Sequence, residues 1–159
     1  MVGAQSQGGA VGYFWMVLGL AVVVAPLWAV VPSKRQRFLA RLRDQALSMG
    51  LHISETPLPK IPPRLQRADD RPLVTYWWRL SREQGRGATA ELIVRTREGW
   101  ETESGNDAPL VLEQLPRGVD VVTVAADRIV CYWDERGMEM DLSSIKSVLL
   151  SLAGSASQA

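Results

Sequence analysis

The chain carries a single cysteine and a single histidine. One cysteine, Cys131, excludes an internal disulfide and a cysteine-built metal cluster, and it suits a reducing compartment. One histidine, His52, with no Ser or Cys partner motif, leaves no base set to activate a nucleophile. The phosphate-cradling Gly-x-x-x-x-Gly-Lys, the dinucleotide Gly-x-Gly-x-x-Gly and the zinc motif His-Glu-x-x-His do not occur. Charge is also scarce at one end. Residues 1–10 hold no charged side chain, and residues 11–31 hold neither charge nor any Asn, Gln, Ser or Thr. From composition and motif, no catalytic residue, metal ligand or cofactor is expected, and the chain is not expected to be an enzyme. His52 reads as a structural or surface residue and Cys131 as a small core hydrophobe.

What fills the uncharged stretch is apolar. Eleven of the residues from Val11 to Val31 are Val, Leu or Phe. As a helix the stretch spans about 30 Å, the thickness of a bilayer's hydrocarbon core. Each of those side chains favours insertion by roughly 0.3–0.6 kcal/mol at a helix centre, so a transmembrane helix is expected over 11–31, behind a small disordered tail, 1–10. A cleavable signal peptide wants positive charge before the apolar run; here Lys34, Arg35, Arg37, Arg41 and Arg43 follow it. The same asymmetry places the N-terminus outside and the rest of the chain in the cytoplasm. Tyr13, Phe14, Trp15 and Trp28 suit an interfacial aromatic belt, and Pro26 is tolerated in a membrane helix.

Behind this anchor the charges segregate. Residues 33–82 sum to +7 and residues 83–159 to −6. Basic groups beside an anionic leaflet gain about 1 kcal/mol each within a Debye length. Lys34, Arg35, Arg37, Arg41 and Arg43 are therefore the expected contacts to anionic lipid headgroups, and the acidic distal half argues against nucleic acid. Ser33 offers an N-cap to a helix from Lys34 to Met49 closed by Gly50. That basic amphipathic segment, 32–50, has two readings left open: it lies on the leaflet, or its stripe of Phe38, Leu42, Ala46 and Met49 packs on its own sheet.

Beyond a short strand at Leu51–Ser54, the segment 51–71 is rich in proline, an extended connection with one polyproline-like stretch, Pro59 to Arg64. Over 72–154, Leu73–Leu80, Thr89–Thr96 and Trp100–Glu103 read as strands, with Gly85-Arg86-Gly87 as a break. Asp107 reads as the cap of a short helix, Pro109 to Gln114. Val119–Val124 and Arg128–Trp133 form the clearest hairpin. A closing helix is capped by Asp141 or Ser143, with Leu142, Ile145, Val148, Leu149 and Leu152 on one face, and 155–159 frays. The fold class is α+β: an N-terminal transmembrane helix, then a small, mostly antiparallel sheet with helices packed on one face.

Acidic pairs at Asp69-Asp70, Asp134-Glu135 and Glu139 with Asp141 read as solvated surface charge or a helix cap. Trp77 and Trp78 point to opposite faces of a strand, and one of them is a possible contact for a protein partner. The run Val30-Val31-Pro32-Ser33-Lys34-Arg35-Gln36-Arg37 and the helix after it, Leu115–Val119, and Val130–Gly137 before the last helix resemble small single-pass inner-membrane proteins of gammaproteobacteria labelled YajC-like, after the accessory subunit of the Sec translocase. An echo of the YajC Gly-Asp-x-Val-Val-Thr segment stands at Gly118–Thr123, farther from the helix than in that family. The resemblance implies a bacterial inner-membrane location with a periplasmic N-terminus. The function expected is a membrane-anchored cytoplasmic interaction or accessory protein, bound to the bilayer and to a membrane-protein partner, as in protein translocation. The alternatives are an anchored enzyme whose acidic site forms only in the fold, and an anionic-lipid-binding module.

Overall fold

The computed structural model describes residues 12–21, 32–67 and 70–156. The chain divides into two units, Met1–Phe38 and Leu39–Ala159. In the first, residues 12–21 form a helix, α1, in which every residue is exposed. Among the described residues no helix is long and apolar enough to cross a membrane. The remainder of the expected span, 11 and 22–31, the tail 1–10, residues 68–69 and the last residues 157–159 lie outside the described residues.

Helix α2 spans Lys34–Ser48. It opens on a reciprocal capping box: the Gln36 amide N–H donates to Ser33 Oγ at 3.2 Å, and the Ser33 N–H donates to Gln36 Oε1 at 2.8 Å. It closes on a Schellman turn, with Gly50 at φ 81°, the Leu51 N–H on the Ala46 carbonyl and the Gly50 N–H on that of Leu47. Both ends are where the sequence placed them. Leu42 and Ala46 are fully buried, so this part of the helix packs on its own domain, one of its two expected readings.

The sheet has six antiparallel strands: β1 (His52–Ser54), β2 (Val74–Arg79), β3 (Glu91–Arg95), β4 (Trp100–Thr102), β5 (Val119–Val124) and β6 (Arg128–Trp133). Their spatial order is β1-β2-β6-β5-β3-β4. The hairpin β5–β6 lies at the centre, turning through Ala125-Ala126-Asp127. Its strands are buried almost without alternation, the mark of a sheet covered on both faces.

One face is covered by helix α4, Glu139–Ala156, which packs on β6 and β2. Its Leu142, Ile145, Val148, Leu149 and Leu152 are buried. The other face is covered by the proline-rich connection itself: Leu65, fully buried, packs with Leu92, Val94, Val121, Val130 and Tyr132, and Ile61 and Leu73 lie against them. Proline cannot join the ladder because it lacks an N–H, yet as a stiff coil it covers an apolar sheet at little entropic cost. Helix α4 lies on one face and irregular chain on the other.

Two local readings also change. The Gly85-Arg86-Gly87 break lies in a short helix, α3 (Arg82–Gly87), begun by a second capping box between Ser81 and Gln84. The turn Leu110–Gln114 is a 3₁₀ helix with no side-chain cap, so Asp107 does not cap it. Asp141 sits within the first turn of α4 and receives the Met138 N–H at 2.7 Å.

Candidate functional site

The polar features of the domain gather where β5 begins and β6 ends. A bulge between Val119 and Val121 leaves Asp120 outside the strand register. On the neighbouring strand the chain runs past Trp133 into Asp134 and Glu135, which are buried rather than solvated as expected. Glu135 adopts φ 53°, a left-handed conformation costing a non-glycine residue roughly 1–2 kcal/mol. That twist sends successive side chains different ways.

Asp134 accepts from Arg71 Nη1 at 2.7 Å and from the Arg136 backbone N–H at 3.0 Å. Glu135 takes both prongs of Arg43, Nε at 2.9 Å and Nη2 at 2.8 Å, and the Tyr76 hydroxyl at 2.7 Å. Burial first, and then Glu135, hold the Tyr76 phenol well above its ordinary range. Asp120 faces Arg67 at 3.4 Å and Arg71 at 3.6 Å. At those distances burial outweighs the arginines and raises the Asp120 carboxyl above its ordinary value. The surface-charge reading of Asp134-Glu135 fails because each carboxylate has a guanidinium delivered to it by distant sequence.

A second set of groups lines an adjoining open cleft of about 750 Å³. Arg95 donates to the carbonyls of Pro116 and Leu115, both at 3.2 Å, and its guanidinium carbon sits 4.5 Å from the Trp100 ring centroid. Burial lowers its proton affinity, with Glu113 and Asp120 opposing from farther off. No carboxylate among the described residues forms a salt bridge with Arg95. Arg117 and Arg136 reach the cleft from exposed positions.

Beneath the cleft lies Trp133, fully buried, whose Nε1 has no acceptor. A Cβ added at Gly118 would stand 3.0 Å from Trp133 Cδ1, and one at Gly137 would stand 3.0 Å from Cζ2. Nε1 lies on the indole rim between those two carbons, so the N–H faces the gap between two glycines that line the cleft. A side chain at either position would collide with Asp134 or Asp141.

The residues singled out from sequence lie elsewhere. Lys34, Arg35, Arg37 and Arg41 are exposed. Arg43 is the exception, turned onto Glu135. Trp77 and Trp78 do face opposite sides, and each is half-buried and engaged. Trp77 stacks on His52 at 4.1 Å with Arg128 at 5.1 Å; Trp78 lies by Gly50 and 5.7 Å from Lys146 Nζ. Cys131 is a fully buried core residue, as read. Arg95, Arg117, Arg136 and Trp133 had no motif to mark them. The available signal was Asp134-Glu135 directly after an apolar strand, a place where charges must be paired if the strand is central.

Among the described residues no group of three or more His, Cys, Asp or Glu is placed to hold a metal ion. Comparison with family models, curated proteins and solved structures found no match.

Proposed function

We propose that this chain is a single-pass membrane protein that holds a small α+β domain against the cytoplasmic face, where it acts as an accessory to a membrane complex. One observation carries the reading. Tyr13, Phe14, Trp15, Met16, Val17, Leu18 and Leu20 are all exposed, from 43 % to 73 %. A helix apolar all round needs an apolar solvent or a partner. The sequence continues that character to Val31 and then turns basic. Exposed Lys34, Arg35, Arg37 and Arg41 suit contact with anionic headgroups; Arg43 leaves that set.

An accessory rather than catalytic role draws support from the buried carboxylates. Asp120, Asp134 and Glu135 would be the acidic groups of an anchored enzyme, yet each faces at least one arginine. The resemblance to YajC-like proteins points the same way, to a partner within an inner-membrane assembly such as the translocase.

Alkaline carbonate extraction of cell membranes, combined with reporters fused at Ala159, tests the anchor and its direction. Retention in the pellet with a cytoplasmic reporter is the expected result. Release into the supernatant, or a periplasmic reporter, overturns the proposal.

A further inference from the structure

The pairing in the β5–β6 end answers the charges of Arg43, Asp120, Asp134 and Glu135. Among the described residues it leaves Arg95 without a salt-bridging carboxylate and the Trp133 indole N–H, like Trp100 Nε1 and Arg67 Nε, without an acceptor. Arg95 is a half-buried guanidinium with no salt-bridging carboxylate among the described residues, clamped by two carbonyls and an indole face. Trp133 Nε1 is a buried donor with no acceptor. An unmade hydrogen bond at a buried donor costs about 1–3 kcal/mol, and an unpaired guanidinium out of water also needs compensation. Both border the same cleft.

We infer that this cleft is a binding site for a single carboxylate group, received by Arg95 and Arg136 and reaching down to the indole N–H of Trp133. The surround is cationic on balance: Arg71, Arg95, Arg117 and Arg136 stand among Asp120, Asp134 and Asp141, and Arg67 also faces Asp120, so an anionic group is favoured. The planar guanidinium also suits a planar carboxylate, since only part of its donor fork is spent on Leu115 and Pro116.

The Trp133 N–H lies just under the cleft surface, screened from water. The Asp141 carboxylate, held by the Met138 N–H, packs over Gly137 at one end of that indole edge. The Asp134 carboxylate packs over Gly118 at the other end, held by Arg71 and the Arg136 N–H. A ligand oxygen entering the gap therefore competes with Asp141, which has no arginine salt-bridge partner among the described residues. Glycine at 118 and 137 fits the same geometry, because a Cβ at either would collide with the Asp134 or Asp141 carboxylate and would also stand 3.0 Å from the indole edge.

A carboxylate could come from a small organic acid or from the C-terminus of another chain. The experiment uses the full-length ¹⁵N-labelled protein in detergent micelles, titrated at constant ionic strength with sodium acetate, sodium chloride and inorganic phosphate. Trialanine with a free or amidated C-terminus forms the remaining arms. The indole N–H of Trp133, identified by its loss in Trp133→Phe, and the Nε–H of Arg95 are the reporters; the second does not depend on that variant folding.

Saturable shifts with acetate or free trialanine, not reproduced by chloride, phosphate or the amide, are expected. Arg136→Gln, a change at an exposed side chain, should weaken binding at least about tenfold, as for loss of one charged hydrogen bond. Asp141→Asn, which keeps an acceptor for Met138, should strengthen it. Response to acetate alone identifies a small acid as the ligand, and response to free trialanine identifies a chain terminus. Tighter binding of phosphate, equal shifts with chloride, or indifference to both variants overturns the inference. None of these outcomes depends on whether the chain proves to be membrane-anchored.

Discussion

Replacing Arg43 by Met tests whether the Glu135 charge is held in the fold by one residue some ninety positions earlier in sequence. The Glu135 side chain is 4 % exposed and that of Arg43 39 %. Methionine keeps the stem of the side chain and deletes the guanidinium, so Glu135 retains one neutral donor, the Tyr76 hydroxyl. Stripping one partner from a buried ion pair costs about 3–5 kcal/mol. Because Arg43 is partly wet, water enters where the guanidinium stood, and the lower figure of about 2–3 kcal/mol applies. For a domain of this size that is a fall in Tm of roughly 6–12 °C, read by tryptophan fluorescence in detergent. Adding Glu135→Gln should recover about 1–2 kcal/mol, since an amide tolerates burial where a carboxylate does not. A loss below about 1 kcal/mol, or a double variant no more stable than Arg43→Met, would refute the reasoning.

Gly50→Ala should cost about 1–2 kcal/mol, because φ is 81° and the new methyl meets the Trp78 ring at 3.3 Å; an unchanged Tm in thermal denaturation would count against the Schellman closure of α2. Cys131, buried with its thiol pushed up to about 12, should resist maleimide at neutral pH and react only as the domain unfolds, so labelling that outpaces the loss of tryptophan signal would show the core to be open. Burial raises the Asp120 carboxyl in the folded state, with Arg71 and Arg67 opposing; its contribution to stability is therefore present while it is protonated and lost as pH rises through its folded-state value. The stability of Asp120→Asn relative to the parent should accordingly improve as pH climbs through the carboxylate range, and urea titrations showing parallel profiles or the reverse slope would contradict the assignment.

The charge segregation along the chain acquires a structural meaning in the domain. Arg43, Arg67 and Arg71 come from the basic half, and Asp120, Asp134 and Glu135 from the acidic half. Part of the basic excess thus serves the fold rather than a lipid surface. Arg67 and Arg71 also fasten the coil that covers one face of the sheet, as does Arg64, which donates to the Glu103 carbonyl. Removing coil and arginines together would expose Val121, Val130 and Tyr132.

Local rules written in neighbouring residues could be read directly. The Ser33 cap, the Gly50 stop, the central hairpin and the apolar stripe of α4 each depend on contacts within a few positions or on periodicity, and all stand where they were expected. The Ser81–Gln84 box obeyed the same rule and was hidden by two glycines, whose low helix propensity a cap can offset. Residue order alone also determines the uncharged run through Val31 and the basic residues behind it. Only the tertiary structure decided that Asp134 and Glu135 are buried, that a proline-rich coil closes the second face, and that Arg95 and Trp133 border one cleft. Those outcomes depend on which strand is central and on partners far apart in sequence. Burial turns a charge from a solvated ornament into a group that must be answered, and no local pattern records where the answer comes from.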